Sequence, residues 1–190
     1  MVIEKEDEAE AEENISENAI KEGNISLILD SYNDIFSSFD PRGFSERALS
    51  DDFLIECKHA ARDQPIDLEG LELRLMVPRI RRNFNDEFKI KRRLKHHFQK
   101  HFLEKEREIG GVKRGGYLWF FSGAVILFIL PFLEEKTNFI FRFITIMMEP
   151  ASWFFFWEGL YKVFVTADEK KPDLEFYKKM AHAQITFLSY

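Results

Sequence analysis

The sequence of 190 residues contains a single cysteine, Cys57, which excludes an internal disulfide. Its first residues, MVIEKEDEAEAEE, are acidic where a secretory signal peptide carries a basic segment, so we expect the soluble part to stay in the cytosol. The chain also lacks a phosphate-binding glycine loop, because Gly110-Gly111 and Gly115-Gly116 fit no Walker pattern. These absences argue against a disulfide-rich secreted protein and against a nucleotide-dependent enzyme.

Histidines give only a weak indication of metal binding. His97 and His101 have the i,i+4 spacing that can chelate a metal, but the glutamate of an H-E-x-x-H motif is missing and no cysteine or carboxylate is placed to complete a site. Cys57 has no nucleophile motif around it and fits the buried side of a helix. We therefore expect no catalytic residue, no cofactor and no metal site.

Charge is distributed unevenly along the chain. Residues 1–22 contain nine acidic residues and two lysines, which predicts an acidic disordered tail. Residues 79–114 contain thirteen lysines or arginines and five acidic residues. Because this basic stretch precedes an apolar segment, we expect it to contact anionic lipid headgroups, and nucleic acid is the disfavoured partner.

Two long apolar runs dominate the second half of the sequence. Residues 117–133 (YLWFFSGAVILFILPFL) carry no charge, and residues 139–165 are rich in Phe, Ile, Met and Trp. At a rise of about 1.5 Å per residue, each run can cross a hydrocarbon core of roughly 30 Å, the second with tilt. Because the rest of the chain is too small to cover so much phenylalanine, the two runs predict a transmembrane hairpin rather than a pair of soluble core helices.

Basic residues flank the predicted hairpin on both sides, whereas the connecting residues LEEKTN hold one lysine and two glutamates. The positive-inside rule therefore predicts a two-pass protein of the cell membrane with cytoplasmic N- and C-termini. The predicted contacts with lipid headgroups are Lys105, Arg107, Lys113, Arg114 and Lys162.

The soluble part is predicted to be a small α/β domain. Short β-branched or alternating apolar segments predict strands at residues 24–29, 71–77 and 184–190. Helices are expected over residues 50–62, where Ser50 can cap, over residues 31–39, and over the basic residues 84–109, with hinges at the two glycine pairs. The whole is expected to be an α+β integral membrane protein in which the hairpin (residues 117–133 and 139–165) interrupts a cytosolic domain made of residues 23–110 and 172–190.

A polar stripe crosses the second apolar run. Arg142, Thr145, Glu149 and Ser152 fall within about 80° of one another on a helix. Glu149 lies near the expected bilayer midplane, where a charge costs about 2.5–3.5 kcal/mol, and Pro150 beside it is expected to kink the helix. Three arrangements remain open: a protonated Glu149 bonded to Thr145 or Ser152, a Glu149 that reaches Arg142, and a stripe that faces another copy of the chain.

These observations predict a membrane-anchored protein without catalytic activity, which forms homo-oligomers and has a structural, interaction or sensing role toward an unidentified cytosolic partner. The alternative is a small ion or proton channel, or a membrane-perturbing effector, with Glu149 lining the pathway. Conductance that changes when Glu149 is replaced by glutamine would distinguish the channel from the anchor.

Overall fold

The structure, a computed structural model, describes residues 24–62, 71–134 and 138–190. It combines helices with three strands, which are β1 (Asn24–Ile28), β2 (Glu72–Val77) and β3 (Gln184–Ser189). The main helices are α1 (Asp51–Arg62), α2 (Phe84–Glu134), α3 (Phe139–Tyr161) and α4 (Lys171–His182). Shorter helical turns lie at Tyr32–Ile35, Arg79–Arg81, Lys162–Thr166 and Ala167–Glu169. The predicted acidic tail, residues 1–22, lies outside the described residues.

The chain divides into two compact units. The first unit contains the described residues up to Phe102 together with Glu175–Tyr190, and the second unit contains Leu103–Leu174. The second unit is therefore an insertion in the first. Helices α2 and α4 each contribute residues to both units.

A parallel sheet with the order β1-β2-β3 forms the centre of the first unit. The predicted strands are confirmed to within one residue at each end. Parallel neighbours cannot be joined by tight hairpins and need crossover connections. The first crossover contains α1, and the second contains α2, α3 and α4.

One face of this sheet is buried under helices. Leu73, Leu75 and Val77 of β2 alternate with half-buried residues, and Ile185 and Phe187 of β3 align beside Leu73 and Leu75. The helices bury side chains at four-residue spacing, as amphipathic helices do on a sheet. These are Phe53, Cys57 and Ala61 of α1, Ile90, Leu94 and Phe98 of α2, and Phe176 and Met180 of α4.

Cys57 is a core residue, as its position on the predicted helix indicated. The side chain is fully buried, and burial, with a smaller effect of Glu56, raises the pKa of its thiol to about 12. The thiol is therefore protonated at neutral pH, and a protonated buried thiol is a poor nucleophile.

A buried ion pair joins the carboxyl ends of the three strands. Arg82, which follows β2, donates from Nε and Nη2 to the two carboxylate oxygens of Glu87 at 2.9 and 3.0 Å. The hydroxyl of Tyr32, which follows β1, donates to Glu87 Oε1 at 2.9 Å, and Arg82 also donates to the backbone oxygen of Phe187 in β3. Burial acts to raise the pKa of Glu87, but the hydrogen bonds from Arg82 and Tyr32 outweigh it and lower that pKa.

The helix expected over residues 31–39 is wrong. The chain forms only one 3-10 turn, Tyr32–Ile35, which begins with a capping box between Ser31 and Asp34. It then extends, and Phe36 pairs with Leu49 in an antiparallel bridge. Phe39, whose spacing suggested a buried helical position, is 96% exposed. The turn ends because the next backbone groups bond to the returning segment: Ser37 N–H donates to the carbonyl oxygen of Ala48, and Ser50 N–H donates to that of Ile35.

Hinges at the glycine pairs are also wrong. Helix α2 runs without interruption through Gly110-Gly111 and Gly115-Gly116. A glycine in a helix costs about 1 kcal/mol relative to alanine, which lowers stability without forcing a break. Continuous helical neighbours on both sides keep the segment helical.

Two helices of the described chain are long and apolar enough to cross a membrane. The most apolar windows, with mean hydropathy 2.0 and 1.3, are only 17% and 11% buried. The core helix of a soluble protein would be mostly buried. Large apolar side chains of the second unit instead face outward, among them Phe121, Phe128, Phe132, Phe143, Phe154 and Trp157.

We predict that Glu87→Ala lowers the free energy of unfolding of the first unit by about 3 kcal/mol, because it removes the buried carboxylate that pairs with the half-buried Arg82 and accepts from the Tyr32 hydroxyl. Hydrogen exchange of the β2 and β3 amides in the full chain measures this as roughly 100-fold faster exchange. Asp86→Ala, which removes only a surface pair with Lys89, is the control and should change exchange by less than about threefold.

Acid should reduce the difference between wild type and Glu87→Ala. The folded-state pKa of Glu87 is lowered, so its contribution is complete above the ordinary carboxyl pKa and is lost as the pH falls through the folded value. The same exchange measurement at successively lower pH, corrected for intrinsic rates, should show the two proteins converging. A difference that grows in acid contradicts the assignment.

Candidate functional site: the packed face of the apolar hairpin

Three glycines bring the backbones of α2 and α3 into direct contact. A Cβ atom added at Gly159 would lie 2.3 Å from the backbone nitrogen of Phe120 and 2.7 Å from the carbonyl oxygen of Gly116. A Cβ atom at Gly123 would lie 2.5 Å from the nitrogen of Phe156. Because real Cβ atoms do not approach so closely, no side chain larger than hydrogen fits at these positions.

The packed positions recur every seven residues on both helices. Gly116, Gly123 and Leu130 are buried on α2, and Thr145, Ser152 and Gly159 are buried on α3. Seven residues are close to two helical turns, so such positions share one face of each helix. Small residues at a helix interface let backbones approach closely, which is the usual basis of packing between helices in lipid.

Thr145 and Ser152 belong to this packed face and use their hydroxyl groups within their own helix. The Thr145 hydroxyl donates to the carbonyl oxygen of Phe141 at 3.0 Å, and the Ser152 hydroxyl donates to the carbonyl oxygen of Glu149 at 2.7 Å. Their relative exposures are 6% and 0%. Neither hydroxyl is used by the Glu149 carboxylate.

The predicted polar stripe is therefore divided by the fold. Thr145 and Ser152 face α2, whereas Arg142 and Glu149 lie beside them on the exposed surface of α3. Neither the guanidinium of Arg142 nor the carboxylate of Glu149 makes a hydrogen bond or ion pair with any residue that the structure describes. Pro150 lies inside α3 directly after Glu149 and cannot donate the backbone hydrogen bond to Ile146.

Lys162 links the two helices at the end of α3. Its ammonium group lies 4.3 Å from the ring centroid of Trp119 on α2 and 3.3 Å from a carboxylate oxygen of Glu158. Glu158 and Lys162 are thus an i,i+4 ion pair on the same helical face. A cation over a tryptophan face contributes about 0.5–1 kcal/mol at an exposed site.

The other four predicted headgroup contacts lie in the same unit. Arg107 and Arg114 are exposed and Lys113 is half-buried, and the charged groups of these three side chains have no hydrogen bond or ion pair with a described residue. Lys105 instead lies 3.5 Å from Glu108 and 3.6 Å from Asp173. Burial acts to lower the pKa of Lys105, but these two carboxylates outweigh it and raise that pKa. Three of the four residues thus keep their charge available for an anionic surface.

A π-helical turn, Lys162–Thr166, follows α3 directly. Such turns are rare and occur often at functional sites. The sequence contains no feature that predicts this one. The predicted span of residues 139–165 covers the first four residues of this turn but treats the whole run as one regular helix.

No protein-family model, curated protein or solved structure matches this chain. The roles of its residues therefore rest on the geometry described above.

Sequence reasoning missed the three packing glycines, although a usable pattern was present. Gly116 and Gly123 are seven residues apart in the first apolar run, and Thr145, Ser152 and Gly159 repeat at the same interval in the second. Matching intervals of small residues on two neighbouring spans indicate a shared packing face. The stripe of polar residues drew attention to Thr145 and Ser152 for their hydroxyl groups, whereas their small size decides where they lie.

We predict that Gly123→Ala and Gly159→Ala each destabilise the hairpin by about 1–3 kcal/mol, because the added methyl group overlaps backbone atoms of the other helix. Gly111→Ala and Gly115→Ala are matched controls, since a Cβ there meets nothing within 4 Å. Thermal unfolding in mild detergent, followed by tryptophan fluorescence, should show a lower midpoint only for the first two variants. Equal midpoints for all four variants would show that the helices are not in contact at these glycines.

Proposed function

We propose that the protein is a two-pass integral membrane protein that associates with copies of itself in the bilayer and holds its small α/β unit in the cytosol. In this role it is a structural, interaction or sensing component without catalytic activity. The outward-facing aromatic surface of α2 and α3 supports the membrane location, because water would have to cover many large apolar side chains.

Charge supports the orientation. Arg107, Lys113 and Arg114 precede the first span, and Lys170 and Lys171 follow the second. Lysine and arginine near the ends of a span favour the cytosolic side. Both chain ends are accordingly assigned to the cytosol, with the LEEKTN connection on the opposite side of the membrane.

Glu149 is the observation that carries the proposed self-association. It lies ten residues after the start of α3, which corresponds to about 15 Å of helix and hence to the middle of a bilayer core. Its side chain is exposed on the hairpin, whereas the hydroxyl groups next to it are bonded elsewhere. Arg142 lies one turn from the helix end and can extend its charge to the membrane surface. Glu149 has no such route, and the facing side of another copy would supply its hydrogen-bond partner.

Pro150 strengthens this assignment. The carbonyl oxygen of Ile146, one turn before Pro150, lacks the backbone donor that residue 150 supplies in a regular helix. A carboxyl group from a neighbouring copy can donate to such an acceptor when protonated. The same region of α3 thus offers an acceptor and a donor to a second copy.

We predict that Glu149→Leu weakens association by a factor of about 3 to 30, the range expected for loss of an interhelical hydrogen bond in lipid. Glu149→Gln, which retains a donor and an acceptor, should keep most of the assembly. The masses of the three proteins in nanodiscs or mild detergent over a range of protein-to-lipid ratios measure the effect.

Met148→Leu is the matched control, because it changes a neighbouring exposed side chain at the same depth without removing a polar group. It should leave the mass distribution unchanged. A wild-type protein that is monomeric at every ratio, or a Glu149→Leu variant that assembles like the wild type, would contradict the proposed self-association.

A conducting pathway would have to form between copies of the chain. The backbone contact at Gly123 leaves no space between α2 and α3 of one hairpin at that level. The channel alternative therefore depends on the same assembly, with Glu149 at its lining. Conductance across a planar bilayer that changes in Glu149→Gln while the assembly persists would favour the channel over the anchor.

A further inference from the structure

A basic groove lies in the first unit, between the loop of residues 40–48 and the beginning of α2. Its volume is about 570 Å³, within the range of sites for small organic ligands. Among its described lining residues, Glu46 is the one carboxylate. The groups that the argument uses are Arg42, Ser45, Phe88, Arg92, Arg93 and His96.

We propose that this groove binds the phosphate group of a phosphate ester, with the organic part of the ester against Phe88. The site lies wholly within the first unit and does not depend on self-association of the hairpin. It gives the cytosolic unit a definite chemical class of ligand.

Two arginines provide the donors. The side chain of Arg92 is exposed, and its guanidinium makes no hydrogen bond or ion pair with any described residue. Arg93 donates from Nε to the carbonyl oxygen of Arg47 at 3.0 Å, a bond that fixes the side chain while its two terminal nitrogens have no described partner. The planar guanidinium group can donate two parallel hydrogen bonds to two oxygens of a phosphate. Arginine therefore suits phosphate recognition better than lysine, whose ammonium group acts as a point charge.

The loop opposite these arginines is held in one shape. Arg42 donates from Nε and Nη2 to the two carboxylate oxygens of Asp40, at 2.9 and 2.7 Å. Asp40 also accepts from the backbone nitrogen of Ala48 at 2.7 Å, and Ser37 bonds to the carbonyl of Ala48. The guanidinium of Arg42 and the backbone bonds together hold the pKa of Asp40 well below its usual range, so the fork persists at neutral pH. A loop that is already ordered loses little entropy when a ligand binds.

An aromatic anchor and a bond to α2 fix the loop further. Phe44 stacks on Phe36 with ring centroids 5.4 Å apart and contacts Tyr32 edge-on at 6.2 Å. The Arg93–Arg47 hydrogen bond ties α2 to the same loop. The two walls of the groove therefore keep their separation before any ligand enters.

Phe88, Arg92 and His96 lie at i, i+4 and i+8, on one side of α2. Phe88 is 69% exposed although it is a large apolar side chain in the first unit. The arginines can contact the phosphate, and the ring of Phe88 offers an apolar surface for the organic part of the ligand. The groove therefore suits a phosphate ester better than a free inorganic ion. His96 adds a ring nitrogen that can donate or accept a hydrogen bond.

Two sources can supply a phosphate ester: a soluble metabolite and the headgroup of a phospholipid. Phenyl phosphate is a suitable soluble probe, because it pairs a phosphomonoester with a ring that can contact Phe88. Phosphatidic acid carries the same phosphomonoester on a lipid. The shared chemistry is tested first, and competition then identifies the source.

The test uses the full chain in phosphatidylcholine nanodiscs, titrated with phenyl phosphate in a calorimeter. Arg92→Gln should weaken binding about tenfold or more, as expected for loss of a charge-assisted contact, and Phe88→Leu should weaken phenyl phosphate more than inorganic phosphate. Lys95→Gln is the control, since it removes an exposed charge from the same helix outside the groove and should change binding less than about twofold. Because Arg92 has no described partner, its replacement is expected to leave the fold intact, which circular dichroism checks.

Addition of phosphatidic acid to the nanodiscs distinguishes the sources. If phosphatidic acid abolishes the binding of phenyl phosphate to wild type and to Lys95→Gln alike, the lipid headgroup is the occupant. Unchanged binding identifies a soluble ester. Absence of binding to wild type, or equal weakening by Arg92→Gln and Lys95→Gln, would overturn the proposal, because the first shows no site and the second shows only diffuse charge.

Discussion

Contact between two helix backbones is the constraint on which the second unit depends. At Gly123 and Gly159 the helices approach until no Cβ atom fits between them, and this contact decides which faces of α2 and α3 are hidden. Thr145 and Ser152 are drawn into the packed face because they are small. Aromatic side chains and Glu149 are left on the outside. The distribution of apolar and polar surface on the hairpin therefore follows from packing rather than from polarity.

The first unit depends on a different constraint. Its three strands are parallel, and the segments at their carboxyl ends are connected by side-chain hydrogen bonds. Arg82 and Tyr32 come from the segments after two different strands and meet at the carboxylate of Glu87. Breaking such a buried pair is costly, whereas its net contribution relative to an apolar core is small. Its hydrogen bonds connect the segments that follow β1 and β2 to the backbone of β3. The loop of residues 40–48 contains a second two-point ion pair, the fork between the exposed Arg42 and Asp40.

Local patterns in the sequence predicted the strands and α1 well, since the alternation of Leu73, Leu75 and Val77 reports directly on burial. Parallel pairing could not be predicted, because it depends on contacts between segments that are distant in sequence, such as Asn24 with Glu72 and Glu72 with Gln184. The helix predicted to reach Phe39 was wrong, because apolar residues at helical spacing do not show whether the backbone hydrogen bonds of a helix continue. Prediction that Ser152 is buried and Glu149 exposed would have required the position of α2. The spacing of residues within α3 alone does not show which side of that helix α2 covers.

Tryptophan fluorescence tests the proposed membrane hairpin most directly, because all three tryptophans of the chain, Trp119, Trp153 and Trp157, lie on its two helices. The full chain would be reconstituted in phosphatidylcholine with and without bromine atoms on the acyl chains. The double variant Trp119→Phe, Trp157→Phe leaves Trp153, which lies near the middle of α3. The account predicts strong quenching of Trp153 by bromines placed deep in the bilayer. Equal emission in brominated and ordinary lipid would contradict the transmembrane hairpin.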